Sequence, residues 1–150
     1  MDIKTILYAT DFSDTSAKAL EMTRKLKDSL SAHVHVLHVF DQEALDMPLP
    51  YGMMPGAAAW SGEHMDKVKE AARRSLDNAR LELGDCQGHF VEGDPGHEIV
   101  AFADANQVDM IILGTHGYRG FRRVLMGSVA EYVLRHTEKP VLTVKGENET

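Results

Sequence analysis

Apolar residues are concentrated in five short runs that longer, more polar stretches separate. The clearest run, residues 108–113, is almost unbroken, which is typical of a strand that is buried on both faces of a parallel sheet. The weakest run occupies residues 87–92. The pattern predicts five strands, over residues 3–9, 33–40, 87–92, 108–113 and 141–145.

Between these runs, apolar residues recur at helical spacing. In the first such segment they form one predicted stripe, made of Ala19, Met22, Leu26 and Leu30. Over residues 62–83 a longer stripe comprises Met65, Val68, Ala72, Leu76, Ala79 and Leu83, with Gly84 as its stop. Asp94 and Pro95 have the chemistry of a helix cap and first turn, and this helix would bury Ile99, Phe102 and Ala103.

Strands and helices therefore alternate along the chain, which predicts an α/β fold with a parallel sheet and right-handed crossovers. A last helix is expected to begin near Gly127. Two segments lie outside this alternation. Residues 41–61 contain three prolines and are interpreted as a long connection, either a lid or a contact surface, and residues 146–150 as a polar tail.

The composition narrows the class of protein. A chain of 150 residues with 43% hydrophobic content suits one domain over residues 1–150. The net charge of -7 argues against general binding to nucleic acid, and no apolar stretch approaches the ~20 residues that a membrane helix needs. Because the first residues lack the pattern of a signal peptide, we expect a cytoplasmic protein. The single Cys86 excludes an internal disulfide framework.

A glycine-containing turn carries the most specific chemistry. Gly114 and Gly117 follow the predicted fourth strand, and after nine more residues Gly127 and Ser128 open the last helix. Ligands bind at the carboxyl ends of strands in open α/β sheets. Glycines permit positive φ and close approach to a ligand, and the N–H groups of Gly127, Ser128 and Val129 are expected to be unpaired donors. The turn is therefore predicted to bind an anion, such as phosphate.

Better-known phosphate loops have other spacings. The chain contains neither the P-loop pattern nor the Gly-x-Gly-x-x-Gly fingerprint after its first strand. Gly117 and Gly120 do match the GXXG clamp of an RNA-binding KH module, but the acidic composition argues against that interpretation.

Four landmarks together resemble the universal stress protein family, specifically its ATP-binding branch. They are the glycine turn, residues 6–13 (Ile-Leu-Tyr-Ala-Thr-Asp-Phe-Ser), residues 36–39 (Val-Leu-His-Val) and residues 139–144 (Lys-Pro-Val-Leu-Thr-Val). The similarity spans about residues 3–145. It implies a Rossmann-like sheet with helices on both faces and strand order 3-2-1-4-5, so that the switch point lies between strands one and four.

The resemblance also implies a ligand and its contacts. The ligand would be ATP, with Mg²⁺, and the protein a cytoplasmic sensor or regulator of the stress response. It would form a homodimer through strand five and act on a protein partner that the sequence does not identify. Asp11 and Val39 would contact adenosine, Gly114 the ribose, and Gly117, Gly127, Ser128 and Val129 the phosphates. The complete set of predicted nucleotide-binding residues is Thr10, Asp11, Val39, Gly114, Thr115, His116, Gly117, Gly127, Ser128 and Val129.

Several of these residues also have a structural interpretation, which for Val39 can coexist with its contact to the ligand. Asp11 suits a turn or a helix cap, Val39 a strand core, and Ser128 a helix cap. His116 contributes either its backbone alone or a general base. The arginines of the turn either screen a triphosphate or are solvated loop charges: Arg119, Arg122 and Arg123.

Metal and nucleophile chemistry is not expected elsewhere. Strand alternation sends His33 and His35 to one face and His38 to the other, so the three cannot bind one ion. Cys86 and His89 likewise point to opposite faces and are predicted to be structural. No catalytic residue or metal ligand is assigned. Two other functions stay open: a slow ATP hydrolase or adenosine-phosphate transferase that uses Asp11 and His116, and an interaction module that needs no nucleotide.

Overall fold

A computed structural model describes residues 1–43, 62–115 and 126–146. The predictions for residues 44–61 and 147–150 thus lie outside the described residues. Strands and helices alternate within the described ranges, and we number each type in chain order. The elements are β1 Thr5–Ala9, α1 Asp14–Leu30, β2 His33–Phe40, α2 Gly62–Leu83, β3 Gln87–Glu92, α3 Pro95–Ala105, β4 Met110–Gly114, α4 Ser128–His136 and β5 Val141–Val144.

The five strands form one parallel sheet in the order β3-β2-β1-β4-β5, which confirms the order implied by the family resemblance. In the central strand, Leu7 is in register with His35 of β2 on one side and with Ile111 of β4 on the other. The chain leaves β1 towards β2 and later returns to β4. The carboxyl ends of β1 and β4 therefore flank the switch point, where a crevice opens in folds of this type.

Each face of the sheet has its own hydrophobic core, because side chains alternate along the strands. On one face, Leu7, Leu37 and Ile111 pack with residues of α3 and α4. On the other, Ile6, Tyr8 and Ile112 pack with α1 and α2. Burial on both faces explains why the central strands are almost uninterruptedly apolar.

The apolar stripe predicted for α1 is correct in part: Ala19 is fully buried and Leu26 packs against the core, but Met22 and Leu30 are exposed. The buried side chains are those of Ser16, Ala19 and Thr23, whereas Met22 is 37% and Leu30 is 44% exposed. Small side chains allow this helix to approach the sheet closely, and its buried hydroxyl groups are satisfied internally. The Oγ1 of Thr23, for example, donates to the Ala19 carbonyl at 2.7 Å. A count of apolar positions alone therefore missed the buried Ser16 and Thr23 and included two apolar residues that are exposed.

The other helices agree better with the sequence. Helix α2 buries Leu76, Ala79 and Leu83, and Gly84 follows its end with a φ of 77°. Asp94 caps α3 by accepting from the His97 N–H at 2.9 Å, as its position before Pro95 predicts. Only strand boundaries shift: β1 begins at residue 5 rather than 3, β4 covers 110–114 rather than 108–113, and β5 ends at 144. Within the described ranges, no helix is long and apolar enough to cross a membrane.

Candidate functional site

The carboxyl ends of β1 and β4 lie side by side, and each is followed by residues that the sequence assigns to nucleotide binding. Thr115, directly after β4, is almost completely buried. Its N–H donates to the Val144 carbonyl at 2.9 Å, and its own carbonyl accepts from the Gly127 N–H at 2.6 Å. Thr115 therefore fastens the start of α4 to the end of β4. The expectation that the Gly127 N–H is unpaired is wrong, because this bond occupies it.

The start of α4 retains other donors. Gly127 is the N-cap and makes no side-chain cap hydrogen bond, since it has no side chain. The N–H groups of Ser128 and Val129 belong to the first turn, where no carbonyl of the same helix can accept from them. Ser128 is exposed and Val129 is half-buried. This end of α4 thus presents backbone donors, and the positive end of a helix dipole, near the switch point.

The glycines act differently from the sequence-based expectation. Gly127 has φ -71° and ψ 159°, an extended backbone that any residue adopts, and Gly114 is not among the glycines with positive φ. Gly114 is needed because it has no side chain: a Cβ at this position would lie 2.8 Å from Thr15 Oγ1 and 3.0 Å from the Thr15 carbonyl carbon. A glycine at this position therefore lets the first turn of α1 pack directly against the end of β4.

Asp11 has one carboxylate oxygen in a structural role. Its Oδ1 accepts from the Ser13 N–H at 3.0 Å and from the Ser16 Oγ at 2.8 Å, which is the turn interpretation raised by the sequence. Its Oδ2 makes no hydrogen bond within the described part of the chain. The half-buried carboxylate thus both shapes the loop between β1 and α1 and leaves one oxygen for a ligand.

Thr10 and Val39 are integrated into the fold. The Thr10 N–H donates to the Leu37 carbonyl, and its Oγ1 accepts from the Phe12 N–H at 3.0 Å. Val39 packs in the core face that contains Leu7 and Leu37. The structural interpretation therefore applies to both side chains. His116 and Gly117, together with the arginines of the turn (Arg119, Arg122 and Arg123), lie outside the described residues.

His38 was not among the predicted site residues. Its Nδ1 lies 2.9 Å from the Thr10 carbonyl, so this nitrogen carries the proton and donates. Burial lowers the pKa of His38 from its ordinary value of 6.5, although the Thr10 carbonyl and the Asp11 carboxylate act in the opposite direction. The signal available in the sequence was a histidine within the apolar carboxyl-terminal half of β2, where its neighbours are Leu37 and Val39.

The side chains of His35 and His89 lie on the opposite face of the sheet from His38, as strand alternation predicts for His35. His35 Nδ1 and His89 Nε2 are 3.0 Å apart, and both rings contact Phe102, on the face opposite to His38. In the described ranges, no group of three or more metal-ligating side chains is suited to hold an ion. Burial raises the pKa of the Cys86 thiol, which disfavours the thiolate that a nucleophile requires.

We expect the protein to lose stability as the pH falls below about 6.5. Burial is the largest cause of the lowered pKa of His35, His38 and His89. The unfolded chain therefore takes up protons at a higher pH than the folded one, so the contribution of these histidines is complete above the ordinary pKa of 6.5 and is lost as the pH falls through the lower folded values. Urea denaturation at about pH 7.5 and about pH 5.5 measures this difference. Equal stability of the wild type at both pH values would contradict this expectation. If His38→Asn lost as much stability between the two pH values as the wild type does, His38 would not contribute to the pH dependence.

Known proteins share the sequence pattern and the fold of this chain. The model of the universal stress protein family matches residues 2–145. Universal stress protein MJ0577 of Methanocaldococcus jannaschii is 35% identical, over 97% of this chain and 96% of the relative. The solved structure of MJ0577 covers 99% of each chain with a TM-score of 0.84 and 34% identity.

More distant structures share the fold. A universal stress protein from Archaeoglobus fulgidus in complex with dAMP has a TM-score of 0.62 and 24% identity, over 97% of this chain and all of the other. Another universal stress protein, in complex with cAMP, has a TM-score of 0.65 and 20% identity, over 97% of this chain and 98% of the other. The family match over nearly the whole chain, together with the similarity to MJ0577, shows that the chain belongs to the universal stress protein family.

Proposed function

We propose that this protein binds an adenine nucleotide, ATP in the first place, across the switch point between β1 and β4. The observation that carries the proposal is the uncapped start of α4, which the bond between Thr115 and Gly127 fixes beside the carboxyl end of β4. Backbone donors at a helix start suit phosphate oxygens. The dAMP and cAMP complexes of the two structural neighbours support an adenine nucleotide as the ligand.

The role proposed for each residue follows from the hydrogen-bonding groups that it does not use within the fold. Ser128 and Val129 offer their N–H groups to phosphate. The N–H of Gly127 is already bonded to Thr115, so Gly127 contributes only by having no side chain that would obstruct the phosphate. The Oδ2 of the half-buried Asp11, in the loop after β1, is the oxygen we propose for contact with a ribose or adenine group. Thr10, Thr115 and Gly114 shape the crevice through their backbones. The contacts of His116 and Gly117 stay predictions, as does that of Val39.

Magnesium fits the same chemistry. Mg²⁺ prefers oxygen ligands and is commonly held by one or two carboxylates together with phosphate oxygens. Asp11 is the carboxylate of the described site that has an oxygen available, so it is the residue we propose for this role. When bound, the ion would neutralise phosphate charge; the chain itself contributes the carboxylate and the backbone donors.

We propose that nucleotide binding serves sensing or regulation in the cytoplasm rather than turnover. Isothermal calorimetry with ATP tests the binding, and inorganic tripolyphosphate as a competitor tests whether the adenosine part matters. We expect ATP to bind more tightly than tripolyphosphate, with no phosphate release above background in a turnover assay. Equal affinities would limit recognition to the phosphates, and rapid turnover would favour the hydrolase alternative.

The assembly that we propose is a homodimer formed by β5, which lies at an edge of the sheet. The carbonyls of Pro140 and Val144 accept from β4, so the even-numbered residues direct their backbone groups inward. The backbone groups of Val141 and Thr143 therefore face outward, where an edge strand can pair with a second copy.

We expect Thr143→Pro to convert the dimer to monomers, because proline removes an outward-facing donor. Leu142→Pro, in contrast, would break the ladder between β5 and β4 and destabilise the fold itself, so it serves as the comparison. Light scattering at micromolar concentration measures the mass. A monomeric wild-type protein would refute the dimer, and a dimer that survives Thr143→Pro would place the interface elsewhere.

A further inference from the structure

The loop between β1 and α1 is held in a strained conformation. Phe12, which directly follows Asp11, has a φ of 63°. A left-handed backbone is costly for a residue other than glycine and persists only where the surroundings impose it. Within the loop, the Phe12 N–H donates to Thr10 Oγ1, and the Ser13 N–H donates to Asp11 Oδ1. These local bonds set the turn, and the Thr10 N–H, which donates to the Leu37 carbonyl, joins its first residue to the backbone of β2.

His38 supplies a tie from the neighbouring strand. Its imidazole is 8% exposed and lies between two aromatic rings, with centroid distances of 4.5 Å to Phe12 and 5.6 Å to Phe90. The Nδ1 of the same ring donates to the Thr10 carbonyl. One side chain therefore holds the residue before Asp11 by a hydrogen bond and the residue after it by ring packing.

We propose that His38 is a positioning residue for the nucleotide site: it fixes the loop from Thr10 to Phe12 and thereby sets where the Asp11 carboxylate stands. This inference rests on the proposed nucleotide binding, but its mechanism concerns the free protein as well. The Thr10 N–H stays bonded to Leu37, but without the bond from His38 the left-handed turn at Phe12 loses its side-chain support from β2, and the second oxygen of Asp11 no longer has one fixed position.

Two substitutions separate the hydrogen bond from ring packing. His38→Phe keeps an aromatic ring between Phe12 and Phe90 but removes the donor. His38→Asn removes the ring but keeps an N–H donor near the position of Nδ1. His35→Phe is the matched control, because it removes a similar hydrogen bond, to His89, on the opposite face of the same strand.

The experiment is calorimetry with ATP on these variants, combined with amide hydrogen exchange of the ligand-free proteins. We expect His38→Phe to weaken ATP binding about tenfold, comparable to one lost buried hydrogen bond. His38→Asn should restore most of that loss, and His35→Phe should bind like the wild type. In the free protein, His38→Phe should speed exchange at Phe12 and Ser13, whereas His38→Asn should do so much less.

The possible failures are distinguishable. If the wild type does not bind ATP, the proposed function fails, and the exchange rates alone decide the role of His38. If the wild type binds and His38→Phe binds equally well, the positioning role is refuted. The same holds if His38→Asn binds as weakly as His38→Phe, or if exchange at Phe12 and Ser13 is unchanged in His38→Phe.

Discussion

Replacing Gly114 with valine should lower the free energy of unfolding by about 3 kcal/mol, at the upper end of what overpacking of a core costs. The Cβ alone would lie 3.0 Å from the carbonyl carbon of Thr15, which is backbone and cannot rotate away. Relief requires moving the first turn of α1 away from β4, and with it the loop that carries Asp11. For a domain whose total stability is on the order of 5–15 kcal/mol, this is a large fraction.

Gly62→Val is the matched control for this prediction. Gly62 stands at the start of α2, where an added Cβ would meet nothing within 4 Å. We expect urea denaturation to show a change of at most about 0.5 kcal/mol for the control, as for most surface substitutions. Similar effects of the two substitutions would mean that the close approach to Thr15 does not make Gly114 necessary.

Gly127→Val should weaken ATP binding at least about tenfold, because hydrogen bonds to charged groups contribute roughly 1.5–3 kcal/mol each. The backbone of Gly127 is extended, so valine fits without strain, and the substitution acts through the bulk that it places at the start of α4. Replacing a glycine cap by valine costs on the order of 1 kcal/mol of stability. The variant is therefore expected to fold, and calorimetry measures its affinity.

Asp109→Ala controls for the loss of stability. Asp109 Oδ2 accepts from the N–H groups of Lys4 and Thr5, at the amino end of β1 and thus at the opposite end of the strands from the proposed site. Its removal should destabilise the fold while leaving ATP affinity within about twofold of the wild type, since sites far apart act independently. Unchanged affinity in a folded Gly127→Val would remove the phosphate role of the α4 start.

Much of the fold could be predicted because the signals are local and repeated. The bounds of β2, β3 and α2 agree with the apolar runs and the helical spacing, and the strand order follows from the family resemblance. Helix α1 shows the limit of this reasoning. Its buried face uses Ser16 and Thr23, whose hydroxyls bond within the helix or to the adjoining loop, so hydrophobicity alone could not identify it.

The site was less predictable because its contacts join residues that are distant in sequence. Asp11 was assigned to a ligand or to a turn, and one of its oxygens is committed to the turn. The bond between Gly127 and Thr115 and the approach of Thr15 to Gly114 depend on how the helices return to the sheet. His38 and Thr10 meet only because β1 and β2 pair in parallel with this register. No spacing rule along the chain contains that information.

Nuclear magnetic resonance shows directly whether an adenine nucleotide lies across the switch point between β1 and β4. ATP is titrated into the isotope-labelled protein, and the backbone amide signals that shift are mapped onto the fold. We expect shifts at Asp11, Thr115 and Ser128, with little change at Lys4 and His33, at the amino ends of β1 and β2. Shifts confined to the amino ends of the strands, or none at saturating ATP, would refute nucleotide binding at the switch point.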